Sequence, residues 1–412
     1  MLVATQAPAD TVSVRTPHFS PEFELVLASC ACSINLDDPD SGKLLTSRLA
    51  SPIQWPDVLR IIERHRVQGL AYRVLGSRDE VPAAIRQRLA ESARKVAQQN
   101  VFAAAHAARL CKAFESEGIR VAVLKGLPLG MKAYGDLSVR HSKDLDLLVA
   151  PDDVDRATEQ LQDMGYVRLT PHNGLSPKQE ALWRIHKKDF AFRHPLSGSE
   201  VELHWRPFDN LHLLADSFPA ESYQRVEISR GLSLPALSDR ESLLYLCVHG
   251  AQHAWFRLKW IADIAALAAR LTPHELQDVM SLGKEMGVEQ TLRLALMHTA
   301  MLFGTPKENS LRPATRFEGS LMNISVRVLL RGGAMEEPKD VPFGLTWISL
   351  FQFLLKPGAK YWFEEIYRWM ISGNWDPATG RPQPSMASAL LLIPRWVRRH
   401  FILHKSVAGP PM

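Results

Sequence analysis

Cysteine is scarce in this sequence, and its spacing argues against two classes of protein. The 412 residues contain four cysteines, of which Cys30 and Cys32 are close together while Cys111 and Cys247 stand alone. This pattern matches neither the disulfide framework of a secreted domain nor the paired spacing of a zinc site. We therefore expect a reducing, cytoplasmic environment.

Long hydrophobic segments are also lacking. The most apolar late stretches, 345–355 and 387–394, are shorter than the roughly 20 residues needed to cross a bilayer. The N-terminus has neither the basic start nor the apolar centre of a signal peptide, so we expect neither secretion nor integral membrane association. Residues 395–405 mix basic and aromatic side chains, which favours a terminal helix on its own core and leaves peripheral membrane contact as the weaker alternative.

A strong excess of charge is missing as well. The chain has 49 lysines and arginines against 44 acidic residues, so its net charge is +5. This balance gives no support to dedicated nucleic-acid binding, although a phosphate-bearing ligand remains compatible with it. The sequence does have 46% apolar and 23% charged residues, which is the composition of a globular protein with an ample core.

Helical periodicity covers most of the chain outside one central segment. After a loose start over residues 1–20, apolar residues recur at helical spacing up to residue 118. A helix is predicted to begin after Ser238, where Glu241 completes a capping box. Further helices are predicted over 274–303, 316–331, 346–371 and 386–403.

The central segment has a different pattern, in which short β-branched runs alternate with helices. The predicted strands lie at 119–126, 145–149, 189–194 and 200–205, with helices after the first and second strands. This order predicts an α+β fold with a small mixed β-sheet core between two helical regions. The expected bounds are 1–118 for the N-terminal helical region, 119–206 for the core and 207–412 for the C-terminal helical region.

One Asp-x-Asp pair, Asp144 and Asp146, lies in an unusual context. Two other such pairs occur, at 38–40 in a turn and at 153–155 in a first helical turn, and both have ordinary explanations. Asp144 and Asp146 instead alternate with leucines, so in a strand both carboxylates point to one face. Two carboxylates this close repel each other, and something cationic should lie beside them.

The cation beside this pair has two possible sources. A divalent ion such as Mg²⁺ prefers carboxylate ligands and can hold the phosphates of a nucleotide. Alternatively, Lys125, Arg140 and Lys143 pair with the aspartates and no metal binds. A third carboxylate, Glu202, favours the metal, because it shares a strand face with His204 while apolar neighbours point the other way. Glu202 as a solvent-facing edge residue is the alternative.

The central segment thus contains a strand ending in a glycine turn, a helix, a basic loop, an Asp-x-Asp strand and a later strand with a glutamate. The residues at these places are Lys125, Gly126, Arg140, Asp144, Asp146 and Glu202. This combination resembles the nucleotidyltransferase fold of the DNA polymerase β superfamily and, more closely, the bacterial uncharacterised nucleotidyltransferase family. The flanks at 55–70 and 249–267 are also similar to that family, so the resemblance covers most of residues 25–270.

The resemblance implies roles for these residues. Asp144 and Asp146 would bind the catalytic Mg²⁺, with Mn²⁺ as the alternative ion, and Glu202 would act as general base or third metal ligand. The turn usually reads Gly-Ser or Gly-Gly in that superfamily, but here it is Lys125-Gly126-Leu127 and the hydroxyl is missing. Lys125, Arg140 and Lys143 would then contact the phosphates in its place.

A second group of polar residues follows Ser238. If that segment is one helix, His249, His253, Trp260 and Asp263 fall on one stripe. The stripe has three possible roles. It could be a metal site, or its histidines could be buried between two domains with Asp263 as their hydrogen-bond partner. It could also contact the base, the ribose or the acceptor substrate. The candidate contacts with a substrate in the cleft are therefore His204, His249, His253 and Asp263.

The resemblance implies a Mg²⁺-dependent enzyme that transfers a nucleoside monophosphate, AMP from ATP before other NTPs, to an acceptor and releases pyrophosphate. A small molecule, a peptide or a protein side chain is the expected acceptor, ahead of an RNA end, because the charge offers no nucleic-acid track. The alternative is a degenerate fold that binds a nucleotide or a partner protein without turnover.

Overall fold

The fold combines helices with one large mixed sheet. The computed structural model describes residues 11–12, 17–142, 144–214, 218–306, 311–340 and 344–371. Within these residues there are fifteen α-helices and a seven-stranded sheet, so the predicted α+β class is confirmed. None of the described helices is long and apolar enough to cross a membrane.

Five helices precede the large sheet, and local sequence explains where several of them begin. They are α1 (Pro21–Ile34), α2 (Pro39–Leu49), α3 (Trp55–His65), α4 (Gln68–Leu75) and α5 (Ala83–Ser116). The Ser20 hydroxyl caps α1 and the Asp38 carboxylate caps α2, and each of these helices has proline in its first turn. The interior of α5 lacks glycine and proline, which allows it to run for 34 residues.

The sheet places strands from distant parts of the chain side by side. Its strands are β2 (Val121–Val123), β3 (Leu145–Val149), β4 (Val167–Thr170), β5 (Asp189–Arg193), β6 (Glu200–His204), β7 (Gln224–Ser229) and β8 (Leu232–Ala236). Their order is β4-β5-β6-β3-β2-β8-β7, with β3 parallel to β6 and antiparallel to β2. A separate small sheet pairs β1 (Thr11–Val12) with β9 (Ala314–Thr315). The helices between the strands are α6 (Leu127–Tyr134), α7 (Val154–Asp163) and α8 (Pro177–His186).

Three strands of the large sheet, β4, β7 and β8, were not predicted from the sequence, and neither was the small β1–β9 pair. β4 and β7 lie at the two edges of the sheet and are largely exposed, so their residues lack the apolar runs that mark buried strands. Because β7 and β8 belong to the sheet, it continues beyond residue 206 to Ala236. The division of the chain into three regions stays a prediction.

The remaining helices follow the sheet. They are α9 (Asp239–Gln252), α10 (Leu258–Ala268), α11 (Pro273–Glu285), α12 (Glu289–Phe303), α13 (Arg316–Leu329), α14 (Gly344–Phe353) and α15 (Ala359–Ile371). The predicted capping box of Ser238 and Glu241 is present at α9. The predicted helices at 274–303 and 346–371 are each divided, near Gly287 and Gly358, whose positive φ angles end helical geometry. The predicted helix 386–403 lies outside the described residues.

Both faces of the sheet are covered by apolar packing. One face carries Leu147, Phe190 and Leu203, which pack with Phe114 of α5 in one hydrophobic cluster. The opposite face contributes Leu148 and other residues to a larger cluster that includes most of α9 and α10. The side chains of β3 and β6 that face α9 therefore lie in a protected space, and that space contains the candidate site.

Candidate functional site

Strand register brings two of the predicted carboxylates together. In the parallel pair β3 and β6, Asp146 lies opposite Glu202, and Leu148 lies opposite His204. Paired positions of neighbouring strands project to the same face of a sheet. The Asp146, Glu202 and His204 side chains therefore share one face, although 56 residues of sequence separate the two carboxylates.

The neighbouring strand β5 adds a carboxylate that sequence reasoning missed. Asp189 is paired with His204 across the antiparallel β5–β6 ladder, and its Oδ2 lies 3.8 Å from His204 Nε2. Lys188 Nζ lies 2.5 Å from Asp189 Oδ2 and 3.8 Å from Glu202 Oε2. Asp189 opens a strand that was predicted, but only the cross-strand register shows that it reaches the same face.

His204 lies at the centre of these acids and is almost fully buried. Its Nε2 is 3.3 Å from Glu202 Oε2 and 3.5 Å from Asp146 Oδ1. Burial and Lys188 lower the pKa of His204, but the Asp146, Glu202 and Asp189 carboxylates close to Nε2 outweigh them, so this pKa is raised. The surrounding acids therefore favour the protonated ring when no metal is bound, and a metal held by His204 would displace that proton.

Lys125 supplies a second cation from the end of β2. The Leu124 amide donates to the Asp146 carbonyl at 3.1 Å, which keeps the chain beside β3 after the strand ends. Lys125 Nζ then lies 2.8 Å from Asp146 Oδ1. Burial would raise the pKa of Asp146, but Lys125 and His204 hold it well below the usual value. The predicted ion pair between Lys125 and an aspartate is thus present.

Asp144 lies immediately before β3, beyond the end of its ladder. It is partly buried. Burial lowers the pKa of Lys125, but Asp146, then Glu202 and then Asp144 raise it above its usual value. Among the described residues, the side chains close enough to share a metal ion are Asp146, Glu202 and His204, whose ligand atoms lie within 4.8 Å of one another. Asp144 is therefore near the site without belonging to its tightest group.

The second oxygen of Asp146 suits a cation. Asp146 is almost fully buried, and its Oδ2 has no hydrogen-bond partner among the described residues. A buried carboxylate oxygen in that state carries a desolvation cost that a bound cation would remove. Carboxylates suit Mg²⁺ and Mn²⁺, and the imidazole of His204 suits Mn²⁺ better than Mg²⁺. The residues present therefore fit a divalent metal.

The turn after β2 requires glycine. Gly126 has φ 82° and ψ −125°, a conformation that side chains disfavour, and it forms the N-terminal cap of α6. A Cβ at Gly126 would lie 2.8 Å from Ser142 Oγ. The turn itself lacks a hydroxyl, but the loop before β3 brings one against it. Sequence reasoning missed Ser142 because nothing in the spacing indicates this contact.

Arg140 is buried and forms a hydrogen bond to the backbone of this turn. Its Nη1 donates to the Gly126 carbonyl at 3.2 Å, and its Nε donates to Asp263 Oδ2 at 3.0 Å. Asp263 also accepts from the Tyr134 hydroxyl at 3.0 Å. The nucleotide-binding role of Arg140 stays a prediction, and its partner is Asp263 rather than Asp144 or Asp146. Lys143 lies outside the described residues.

Asn100 of α5 positions the loop between α6 and β3. This buried side chain donates to the carbonyls of Leu137 and Arg140, and it accepts from the Ser142 amide. It therefore holds the segment that leads to Asp144. The sequence does contain a signal for this role, because Asn100 is a single amide among the apolar positions of a long helix.

The segment after Ser238 is not a single helix, so the predicted stripe is corrected. Residues 253–257 separate α9 from α10, and within them Ala254 and Trp255 have positive φ angles of 48° and 45°. The Trp255 indole is fully buried and packs on Gly250, where a Cβ would lie 2.5 Å from the ring. The bend thus depends on burial of Trp255, and Gly250 makes room for it.

The predicted stripe residues nevertheless form a wall of rings beside the carboxylates. His249 lies 5.2 Å from His253, and His253 stacks on Trp260 at 4.9 Å between ring centres. Tyr245, which lies one turn before His249, stacks on it at 5.6 Å. Asp263 instead accepts the two hydrogen bonds described above, so the predicted partnership between Asp263 and these histidines is wrong.

Both wall histidines are neutral at physiological pH. Burial, with Lys125 as the next cause, lowers the pKa of His249 well below its usual value and that of His253 to about 4. A neutral imidazole can donate one hydrogen bond and accept another. The site therefore has carboxylates on the sheet side and the neutral rings of His249 and His253 on the side formed by the end of α9.

Comparison with known proteins assigns a family to this architecture. One of the similar solved structures is described as an antigenic nucleotidyltransferase-like protein from Paracoccidioides brasiliensis. It is 18% identical, the match covers 46% of this chain and 91% of that chain, and the TM-score is 0.28. No curated protein matches the chain. The family model described as uncharacterised nucleotidyltransferase matches residues 51–304, which include α3 through α12 and the whole candidate site. The chain therefore belongs to the uncharacterised nucleotidyltransferase family.

Proposed function

We propose that this protein transfers a nucleoside monophosphate from an NTP, with ATP as the first candidate, to an acceptor and releases pyrophosphate. The observation that carries the proposal is the registered pair Asp146 and Glu202, two carboxylates on one protected face with a buried oxygen left for a cation. Family membership supports the reaction class. A DNA polymerase β-like superfamily, a bacterial source and a cytoplasmic location remain part of the proposal.

Asp146 and Glu202 would hold the divalent cation, with Asp144 at the entrance and His204 beside them. Mg²⁺ is the first candidate because three of these four groups are carboxylates, and Mn²⁺ is the second because it accepts an imidazole. When bound, the ion would neutralise charge on the reacting phosphates. Lys125 and Lys188 balance the acids in the absence of the ion.

In the transfer step the protein takes a proton from the acceptor, and pyrophosphate is released into solution. The acceptor oxygen or nitrogen attacks the α-phosphorus, and its lone pair forms the new bond. The bond from the α-phosphorus to the bridging oxygen breaks, and its electron pair leaves on pyrophosphate. Glu202 takes the acceptor proton, a role that suits a carboxylate that is partly exposed while its neighbour Asp146 is buried.

The phosphates would lie on the turn between β2 and α6. Lys125 supplies positive charge there, and the Gly126 backbone permits close approach. A phosphate contact by Lys143, which lies outside the described residues, is proposed from the sequence alone. Ser142 supplies the hydroxyl that Leu127 cannot, since its Oγ lies against Gly126. Arg140 acts through the turn as a positioning residue, because its guanidinium holds the Gly126 carbonyl.

His249 and His253, with the buried ring of Tyr245 packed behind His249, would face the acceptor or the base. Neutral imidazoles can bind a small polar molecule, a peptide or a protein side chain without a long basic surface. An RNA end is a weaker candidate, because the net charge of the chain is only +5.

The test is transfer of label from α-labelled NTPs to components of a cell extract, with pyrophosphate measured in parallel. The wild-type protein should give a labelled product and pyrophosphate in the presence of Mg²⁺ or Mn²⁺. Glu202→Gln should abolish both, while Glu227→Gln, on the exposed edge strand β7, should leave them unchanged. Equal labelling by wild type and Glu202→Gln would refute the proposal.

A second candidate, nucleotide binding without turnover, is favoured by one observation. Lys125 already occupies Asp146 Oδ1 at 2.8 Å, which satisfies half of the carboxylate without a metal. Calorimetric binding of an NTP with no pyrophosphate released in any acceptor pool would support this candidate over the first.

A further inference from the structure

Two cations near the site have no role in the function proposed above. Lys259 is the second residue of α10, and its Nζ donates to the His141 carbonyl at 2.5 Å. Arg66 follows α3 in a left-handed conformation, with φ 57°. Both side chains are partly buried. They come from distant parts of the sequence, and both lie close enough to His141, in the loop that leads to Asp144, to lower its pKa.

The end of α3 is fastened to the start of α10, which fixes the relative placement of these cations. His65 Nδ1 accepts from the Leu258 amide at 3.0 Å. Arg257 Nη1 donates to the Arg64 carbonyl at 3.3 Å. These contacts fix the backbone next to Arg66 and next to Lys259. We call these two side chains, with the neighbouring His141, the basic cluster.

Two nearby acids, Asp263 and Glu337, already form ion pairs with other basic residues. Asp263 accepts from Arg140 at 3.0 Å, and Glu337 accepts from Arg257 at 2.7 Å. Within the described part of the chain, neither Arg66 nor Lys259 forms an ion pair with a carboxylate. Two basic side chains without such a partner in a partly desolvated place call for an anion.

The pKa values of the cluster agree with this excess of positive charge. Burial first, and then Arg140, Lys125 and Arg66, lower the pKa of Lys259 well below its usual value. Burial, Lys259 and Arg66 lower the pKa of His141 to about 4. An anion bound here would relieve the repulsion that both shifts report.

The cluster lies at a suitable distance from the carboxylates. His141 and Asp144 are three residues apart, so the intervening backbone spans at most about 11 Å. The Gly126 turn lies against this loop, because a Cβ at Gly126 would be 2.8 Å from Ser142 Oγ and 4.0 Å from the Asp144 carbonyl. An acidic end for a metal and a basic end for an anion, joined by one short loop, match the two ends of a metal–triphosphate.

We infer that Arg66 and Lys259 form a subsite for the terminal phosphates of a triphosphate whose α-phosphate lies beside Asp146. The inference rests on the proposed function for the identity of the ligand as a nucleotide. It adds that the protein selects triphosphates over monophosphates through residues of α3 and α10, outside the sheet and its turn.

The test compares calorimetric binding of AMP, ATP and inorganic tripolyphosphate, each with Mg²⁺, to wild type, Lys259→Gln and Arg66→Gln. Loss of one charged contact should weaken ATP and tripolyphosphate binding by about 10- to 100-fold and leave AMP binding unchanged. Lys112→Gln, an exposed lysine of α5, is the matched control and should bind all three ligands as wild type does. Melting temperatures of both variants should not fall, because each change removes uncompensated charge.

Three outcomes would overturn the subsite: equal ATP and tripolyphosphate binding by wild type and both variants, equal loss of AMP and ATP affinity, or a wild type that binds ATP no more tightly than AMP. The proposed transfer reaction is judged separately, by pyrophosphate release. Tripolyphosphate binding that depends on Lys259, in a protein that releases no pyrophosphate, would uphold the subsite and reject the reaction.

Discussion

Two buried carboxylates, Glu318 of α13 and Asp146 of β3, have opposite surroundings. Glu318 accepts hydrogen bonds from Arg293 at 2.8 Å, from Arg312 at 3.1 Å and from the Thr315 amide at 2.9 Å. Both of its oxygens are occupied by groups of the protein. Asp146 has one oxygen bound to Lys125 and the other without a hydrogen-bond partner in the described residues.

The difference teaches how to separate a structural carboxylate from a candidate ligand. Burial and a lowered pKa are common to both residues. Completeness of the hydrogen bonding is what distinguishes them, because a saturated carboxylate stabilises the fold and an unsaturated one is stabilised by something it binds. Removing each charge should therefore affect different properties of the protein.

The largest expected effect is on transfer activity. Asp146→Asn removes a proposed metal ligand, and because a bound metal stabilises the transition state by several kcal/mol, the rate should fall by about 10³-fold or more. The folded structure should persist, since Asp144, Asp189 and Glu202 remain to balance Lys125 and Lys188. Pyrophosphate release and melting temperature are the measurements, with exposed Asp152→Asn as the control. If Asp146→Asn kept its activity, Asp146 would not be a metal ligand, and its proposed difference in role from Glu318 would be wrong.

The largest expected effect on stability belongs to Glu318. Glu318→Gln leaves the buried guanidinium of Arg293 without its counter-charge, which should cost about 3 kcal/mol of unfolding free energy. Metal and nucleotide binding should not change. Denaturant unfolding measures the loss, and exposed Glu285→Gln of α11 is the control. A loss no larger than that of the control would show that saturation of hydrogen bonds is not what stabilises this carboxylate.

The same carboxylate should make stability depend on pH. Burial opposes ionisation of Glu318, but Arg293 and the Thr315 amide lower its pKa from the usual 4.5 to about 2. A carboxyl with a depressed folded-state pKa stabilises the protein above its unfolded-state pKa and loses this contribution as pH falls through the folded-state pKa. The stability difference between wild type and Glu318→Gln should therefore shrink as pH falls from 4.5 to 2. A difference that is constant with pH would contradict the assignment.

The smallest expected effect on stability comes from Asp144. Asp144→Asn removes a partly buried charge two residues before Asp146, so without metal the unfolding free energy should stay within about 0.5 kcal/mol of wild type or rise. Transfer activity should still fall. A large loss of stability would mean that Asp144 is structural in the way that Glu318 is.

The local parts of the fold and site could be predicted from the sequence. Strand alternation gave β3 its observed bounds, Leu145–Val149, and the predicted face shared by Glu202 and His204 agrees with the register of β6. The capping box at Ser238 was also found. Each of these features depends on residues within one element, so spacing along the chain contains the information.

Features that depend on distant contacts could not be predicted. The partner of Arg140 is 123 residues away at Asp263, and Asp189 joins the site only through the β5–β6 register. The bend after α9 has no proline or glycine within residues 253–257, and it is explained by the buried indole of Trp255. In each case tertiary packing determines the structure, and a single sequence does not show which distant residues meet.

Direct measurement of cation binding tests the central claim, that Asp146 is left unsaturated for a metal. Mn²⁺ can be titrated into wild type, Asp146→Asn, Glu318→Gln and Asp152→Asn, with free ion followed by electron paramagnetic resonance. We predict saturable binding in wild type, Glu318→Gln and Asp152→Asn, and its loss in a folded Asp146→Asn. Equal Mn²⁺ binding by wild type and Asp146→Asn, or none by either, would contradict the account.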